Sequence, residues 1–520
     1  MDPITTSLVG LVFFTILVYI IYHAWKTNQY WKERGIPYVK PTLFVGNSLP
    51  PLLGKMPPGQ LQEIFCKQFP NEPLFGFYDF MKPTLIVKDI DFIEKVLIKD
   101  FAHFVDHGLM QFDDERNPFD SNLFTMTGKR WKAVRNRFSP IFSTGKLKLM
   151  FESMKGCGDE MIRQLDKGPK EDVDMKEILG CFAMDTIGSC AFGIDCGSLS
   201  KPENEFRRIG KQVFQMDIPT FMKFMIMIQA PRLAKFLNLT FSKPKIINYF
   251  SRIIKDTMKY RRDNGFTRND FVQLLMQLQD KGYVEMHTKD AADDYLNIDT
   301  TAYSIEKFEL TDDQITGHAV SFLTNGFDTT TMTKMFTLYE LSRNPIIQEK
   351  VREEILREVE HAGGSLTYNA LKEMHYLEQC VKETLRMYPP TQMLLRICTK
   401  QYTFPNGVSI EPGQTIIIPI MAVHNDPKYY PEPKVYRPER FHTGYTIPAC
   451  AYLTFGNGPR MCLAMRFVFL EIKYCIAKLL LNYTISLSPK TKQPITIKAI
   501  SFVTKPKETL YFNIKKVTCL

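Results

Sequence analysis

No two of the eleven cysteines in this chain of 520 residues are spaced as Cys-x-x-Cys. An odd, scattered set of thiols argues against a disulfide framework and a structural zinc site, and it suits a reducing compartment. The chain also lacks a Gly-x-Gly-x-x-Gly fingerprint, a Gly-rich phosphate loop and cysteine spacing for an iron–sulfur cluster. Any electrons it uses must therefore come from a partner. Internal repeats and low-complexity tracts are absent, and no linker is visible after residue 50. No run of Lys and Arg with interleaved aromatics occurs, so nucleic acid is a poor fit. The net charge of +10 suits an anionic membrane or an acidic protein partner better.

What is present is enough apolar material, 44% of residues, for a large core. Pro3 to Trp25 (residues 3–25) contains no Asp, Glu, Lys or Arg and reaches the length of about 20 helical residues that crosses a bilayer. A cleaved signal peptide is the weaker reading, because Asp2 stands where a positive n-region is expected and no small-residue cleavage site follows. Lys26, Lys32, Arg34 and Lys40 come next against Glu33 alone, which predicts a single-pass anchor with the bulk of the chain in the cytosol. Residues 26–50, with Gly35-Ile36-Pro37 and Pro41, read as a linker or hinge, and residues 51–520 as one domain.

Helical patterning dominates that domain. Thr311-Asp312-Asp313-Gln314 reads as a capping box opening a helix that runs to Arg343, where Asn344-Pro345 ends it. A second helix is expected over Asn369 to Tyr388, stopped by Pro389-Pro390. Short β-rich runs, Thr84 to Val87, Arg396 to Thr399 and Thr415 to Ile418, punctuate the helices, and residues 288–309 read as a surface loop. The fold class predicted is mainly α with small β-sheets.

The most informative stretch is Phe455-Gly456-Asn457-Gly458-Pro459-Arg460-Met461-Cys462-Leu463-Ala464. A Gly- and Pro-bearing loop presents one thiol beside an arginine, and an apolar helix over Ala464 to Leu481 starts directly after it. At a helix N-terminus free N–H groups and the dipole favour a thiolate, and a thiolate can ligate haem iron axially. A lone structural cysteine is the ordinary alternative. Against it, a chance match to Phe-x-x-Gly-x-Arg-x-Cys-x-Ala in a chain this long is on the order of one in ten thousand. At these residues, and in order along nearly the whole chain, the sequence resembles the cytochrome P-450 family of haem-thiolate monooxygenases. Ala464 stands where the family's loop usually ends in glycine.

The resemblance implies a single large haem domain behind the anchor. Its cofactor would be haem b (iron protoporphyrin IX), with Cys462 as the axial iron ligand, Phe455 beside it and O2 as co-substrate. Within Asn325-Gly326-Phe327-Asp328-Thr329-Thr330 it implies catalytic roles: Gly326 opening the backbone beside the oxygen site, Thr329 hydrogen-bonding the reduced oxygen and Asp328 relaying protons to it. Taken alone, the same acid and hydroxyls fit an exposed helix face equally well. Asn325 departs from the small residue the family places there. Trp131 and Arg135, one helical turn apart, together with Arg396 and Arg460, match the family's partners of the haem propionates. His107 stands where many relatives carry a further arginine, as a weaker, pH-dependent donor or simply a solvated loop histidine. Glu383 and Arg386, with Arg440 of Pro438-Glu439-Arg440-Phe441, match a buried cluster that positions the thiolate loop. His424, before Asn425-Asp426-Pro427, reads as turn chemistry.

Met110 to Phe124 and Phe221 to Ile228 are rich in Met and Phe. With Phe322, Met393, Leu394 and Ser501-Phe502-Val503 they are candidate contacts for a lipophilic substrate (a xenobiotic, hormone or lipid), against ordinary core packing. The family implies an NADPH-dependent flavoprotein reductase as partner, with cytochrome b5 as a further candidate. Lys129, Arg130, Lys132 and Arg137 offer a basic patch to steer an acidic one. Residence in the endoplasmic reticulum membrane (microsomal) follows from the same resemblance, which is nearest the insect branch associated with detoxification and hormone metabolism. Two other readings stay open. A haem-thiolate isomerase or dehydratase is one, and the Asp328-Thr329 pair speaks against it; a non-enzymatic membrane haem carrier or sensor, which needs no such pair, is the other.

Overall fold

The computed structural model describes residues 3–108, 117–213, 218–237, 239–281 and 310–517. Pro3–Thr27 form a continuous helix, α1, two residues longer than the uncharged run. Its side chains find almost no partner: Phe13 is 70% exposed, and the helix is long and apolar enough to cross a membrane.

The segment after α1 is docked, where a free linker was expected. Trp31 is fully buried, its Nε1–H donates to the Phe77 carbonyl (3.1 Å), and its indole fills the place a side chain on Gly76 would take. The Val39 N–H donates to Gly76 O and the Gly76 N–H to Pro37 O, so this segment extends a sheet edge. The folded body therefore begins near Trp31 and not at residue 51. The cause is apolar burial, since Trp31, Ile36 and Val39 together remove a large area from water.

Leu74–Asp79 (β1), Lys82–Val87 (β2), Leu394–Ile397 (β3) and Thr415–Ile418 (β4) make one sheet in the order β1-β2-β4-β3, with only the β2–β4 pair parallel. β3 lies two residues before the expected run and ends where the Thr399 N–H turns away to donate to His103 O. A second sheet joins Tyr483–Leu487 (β5) and Tyr511–Lys516 (β6) to the short strand Val173–Asp174.

Helices supply the rest, and the fold is mainly α. Those that build the site are Gly128–Phe138 (α2), Met175–Ile187 (α3), Glu205–Gln212 (α4), Ile218–Gln229 (α5), Asp312–Arg343 (α6), Pro345–His361 (α7), His375–Met387 (α8) and Met465–Asn482 (α9). The capping box is present: Thr311 Oγ1 accepts the Gln314 N–H (3.3 Å) and Gln314 Oε1 accepts the Thr311 N–H (3.0 Å). From it α6 runs for 32 residues through the main core. The helix expected over Asn369 to Tyr388 is broken at the fully buried Met374 into Tyr368–Glu373 and α8. A tertiary contact makes the break. Glu354 of α7 accepts the N–H groups of Tyr376 (2.8 Å) and Leu377 (2.9 Å) and caps α8 from outside. The surface loop expected over 288–309, and Met110 and Phe112 of the Met- and Phe-rich stretch, lie outside the described residues.

Candidate active site

The loop before α9 brings one sulfur into the interior. Gly456 and Gly458 take φ of +72° and +68°, and a Cβ on Gly458 would stand 1.9 Å from the Leu97 carbonyl oxygen, so only glycine fits there. Asn457 Oδ1 accepts the Gly458 N–H (2.8 Å), and the Cys462 N–H donates to the Phe455 carbonyl (2.8 Å). Cys462 is the exposed one among the ten described cysteines, yet protein surrounds it, the combination that a concave recess produces. Burial pushes this thiol up, and the Ala464 N–H and the Arg135 guanidinium oppose that without overcoming it. Metal ligation deprotonates a coordinating thiol outright.

Cations converge on the same interior. The buried residues of α2 are Trp131, Val134, Arg135 and Phe138, a single face, whereas Lys129, Arg130 and Lys132 are exposed. The Arg460 guanidinium lies 4.0 Å from the Trp131 ring centroid and donates to the carbonyls of Val105 (2.9 Å), Leu123 (3.2 Å) and Met126 (2.7 Å). Arg460 thus pins backbone segments together. Arg135 and Arg396 differ. Both are buried, and Nε and Nη2 of Arg135 and Nε of Arg396 have no hydrogen-bond partner. Burial pushes each of these guanidiniums down to about 10. Buried cations with unused donors call for an anion. A haem, with iron for the thiol and two propionates for the arginines, fits this donor set. His107 sits among them, its ring packed on Phe124 at 4.8 Å; burial, then Arg396 and Arg460, hold its imidazole well below the usual histidine range.

Most of α6 is buried, but it opens at Asn325, which is exposed, and Thr329, which is partly so. Phe467, five residues after Cys462, packs its ring 5.5 Å from that of Phe322, three residues before Asn325, so the opening neighbours the thiol loop. The Asn325 amide donates to Ser321 Oγ (3.0 Å) and lies along the helix, while the Thr329 hydroxyl donates to the Asn325 carbonyl (2.6 Å). A Cβ on Gly326 would meet Ile187 Cδ1 at 2.9 Å, so this glycine lets α3 pack closely on α6. The Asp328 carboxylate is ion-paired with Lys505.

Behind the loop, Glu383, Arg386 and Arg440 are all buried. Arg386 holds both Glu383 oxygens at 2.8 Å, Arg440 Nε donates to Oε1 at 3.3 Å and the Arg437 N–H at 3.1 Å. His424 corrects its assignment as turn chemistry. It is buried, its Nδ1–H donates to the Arg386 carbonyl (3.0 Å) and its Nε2 accepts the Leu453 N–H (2.9 Å). Those bonds require the neutral ring, and desolvation holds it down to about 3. Through it, α8 positions the segment entering the thiol loop. A second buried ion pair, Lys334 with Glu471, clasps α6 to α9. Sequence reasoning missed this second pair; a lysine and a glutamate inside apolar helices were the available signals.

Phe322 stacks on Phe271 (4.9 Å) and lies 5.7 Å from Phe142, so these rings pack it against the main core while part of it stays accessible. Phe224 of α5 meets Phe502 edge-on at 5.2 Å, which brings two of the expected substrate-contacting segments together.

A family model described as Cytochrome P450 matches residues 37–512. "Probable cytochrome P450 6a13" of Drosophila melanogaster is 34% identical over 517 residues, 98% of this chain and 99% of that protein. "Cytochrome P450 6k1" of Blattella germanica is 34% identical over 501 residues, covering 96% and 94%. "Cytochrome P450 9e2" of the same species is 34% identical over 505 residues, covering 93% of each.

Proposed function

The chain belongs to the cytochrome P450 family and is a haem monooxygenase, and from that premise we propose that it inserts one oxygen atom of O2 into lipophilic small molecules (xenobiotics, hormones or lipids) using NADPH electrons from a flavoprotein reductase. The observation that carries the reading is the Cys462 thiol beside Arg135, with Arg396 close to Arg460 two residues before it, Arg135 and Arg396 being buried arginines with unused N–H groups. Bound haem supplies the redox centre for O2 activation. Cys462 would hold its iron, Arg135 and Arg396 its carboxylates, and Trp131, Arg460, His107 and Phe455 would wall its edge.

Thr329 Oγ1 holds a proton at the open stretch of α6, shared with the Asn325 carbonyl. Asp328 is one residue away, and moving a proton through its carboxylate requires the pair with Lys505 to open. Phe224 and Phe502 offer an apolar wall that excludes water and favours lipophilic substrates. The exposed basic face of α2 suits an acidic reductase or cytochrome b5. The exposed apolar surface of α1, followed by Lys26, Lys32 and Arg34, supports a single-pass anchor in the endoplasmic reticulum with the catalytic domain in the cytosol.

Full-length protein in detergent, given reductase and NADPH, should oxidise members of a panel of lipophilic compounds, and omission of either should stop turnover. Cys462→Ala should abolish the thiolate-type spectrum of the reduced CO complex; an unchanged spectrum overturns the ligand assignment. Thr329→Ala should keep its haem and release hydrogen peroxide at the expense of product. Full coupling in that variant refutes the role given to the hydroxyl.

A further inference from the structure

On the Asp328 side of α6 lies a cavity of about 650 Å³, walled by α3, α4, α6 and the segment 498–505. Its wall carries five cations, Lys176, Arg207, Lys211, Lys498 and Lys505, against two carboxylates, Glu177 and Asp328. Both carboxylates are already engaged. Glu177 accepts from Arg207 Nη2 (2.6 Å) and from Lys211 Nζ (3.0 Å), and Asp328 pairs with Lys505. Arg207 is only 1% exposed, and its Nε and Nη1 have no hydrogen-bond partner. Gly180 leaves room in front of it: even a Cβ there would come only to 3.5 Å from Nη1. The opposite character is present too, since Phe327, Ile500 and Phe502 line the same space.

Water can satisfy a stranded donor, but it cannot neutralise a surplus of positive charge in a concave, partly apolar wall. An oxyanion does both, and a guanidinium with two free N–H positions is suited to it. We propose that this cavity binds a small amphiphilic oxyanion, a carboxylate or phosphate monoester on a short apolar tail. The head lies on Arg207 and the lysines, and the tail on Phe327, Ile500 and Phe502. The volume is within the range of about 300–1,000 Å³ typical of small-molecule sites. Because Lys505 is shared, the bound head competes with Asp328 for one ammonium. The site shares Asp328 and Phe502 with the reading above, and saturating the haem site in the test keeps the two distinguishable.

Calorimetric titration of the full-length haem-loaded protein tests this, with the haem site saturated by an azole so that a tail cannot enter there. Octanoate, octyl phosphate, inorganic phosphate and octanol are the four probes. One equivalent of octanoate or octyl phosphate should bind, the tighter of the two identifying the head group. Octanol and inorganic phosphate should bind at least about tenfold more weakly. Arg207→Gln should weaken binding by a similar factor. Because that variant breaks a buried ion pair, the surface double variant Lys211→Gln/Lys498→Gln carries the test independently, with a several-fold loss expected. No binding at millimolar concentration, equal binding of octanol, or unchanged affinity in the double variant each overturns the proposal.

Discussion

Lys334→Met should destabilise the chain by about 3–5 kcal/mol, because it strands a charged Glu471 in the core. The size of the effect follows from burial. Both side chains of the pair are 0% exposed, and Glu471 Oε2 already lacks a hydrogen-bond partner. The ammonium's remaining contacts are Thr330 Oγ1 at 3.4 Å and the Phe182 ring at 4.9 Å, which do nothing for a lone carboxylate. Glu471→Leu strands the ammonium in turn and should cost a similar amount. The double variant Lys334→Met/Glu471→Leu removes both charges and keeps the volume, so it should return to within about 1 kcal/mol of the parent or exceed it. Urea unfolding of the full-length protein, followed by far-UV circular dichroism at constant m, reads all three variants. The two single losses less that of the double variant give a coupling of about 5 kcal/mol or more. A neutral Lys334→Met, or a double variant as unstable as either single one, would refute the picture of an isolated, desolvated clasp between α6 and α9.

Gly458→Ala meets the Leu97 carbonyl at 1.9 Å and a φ of +68°, so it should distort the thiol loop and sharply lower haem content; normal haem loading would contradict the geometry. His318 and His424 are both held down to about 3 by burial, whereas an unfolded histidine titrates near 6.5. Between those values the unfolded chain binds more protons, so stability is full above about pH 6.5 and falls as pH drops toward 3. His424→Gln should lower the urea midpoint at pH 7.5 and flatten its slope between pH 6 and 4.5; an unaltered slope would count against the buried neutral ring.

Features that depend on a few adjacent residues could be read directly. The Thr311–Gln314 capping box spans one turn, Pro345 stops α6, and the apolar run that becomes α1 needs no partner. Features set by remote contacts could not be read. Met374 breaks a helix because Glu354, 22 residues before Tyr376, supplies the cap. Trp31 is pinned by Phe77, and Asp328 is claimed by Lys505 from 177 residues away. Phe322 shows the same gap from another direction. An aromatic on a long helix does not reveal which face is core until Phe271, Phe142 and Phe467 close around it.

The buried arginines divide by what completes them. Every guanidinium nitrogen of Arg386 and Arg460 has an acceptor within the protein, so these residues hold α8, the thiol loop and its neighbouring segments in place whether or not a ligand is bound. Arg135, Arg396 and Arg207 are as deeply buried but keep unused donors. A donor left unsatisfied in the interior costs about 1–3 kcal/mol, and a ligand that binds only the folded chain recovers that loss by mass action. On the reading proposed above, Arg135 and Arg396 would couple stability to the haem held by Cys462. Arg207 couples it to an anion on the far side of α6. The two kinds of arginine would respond differently to haem removal, and that difference separates positioning from binding.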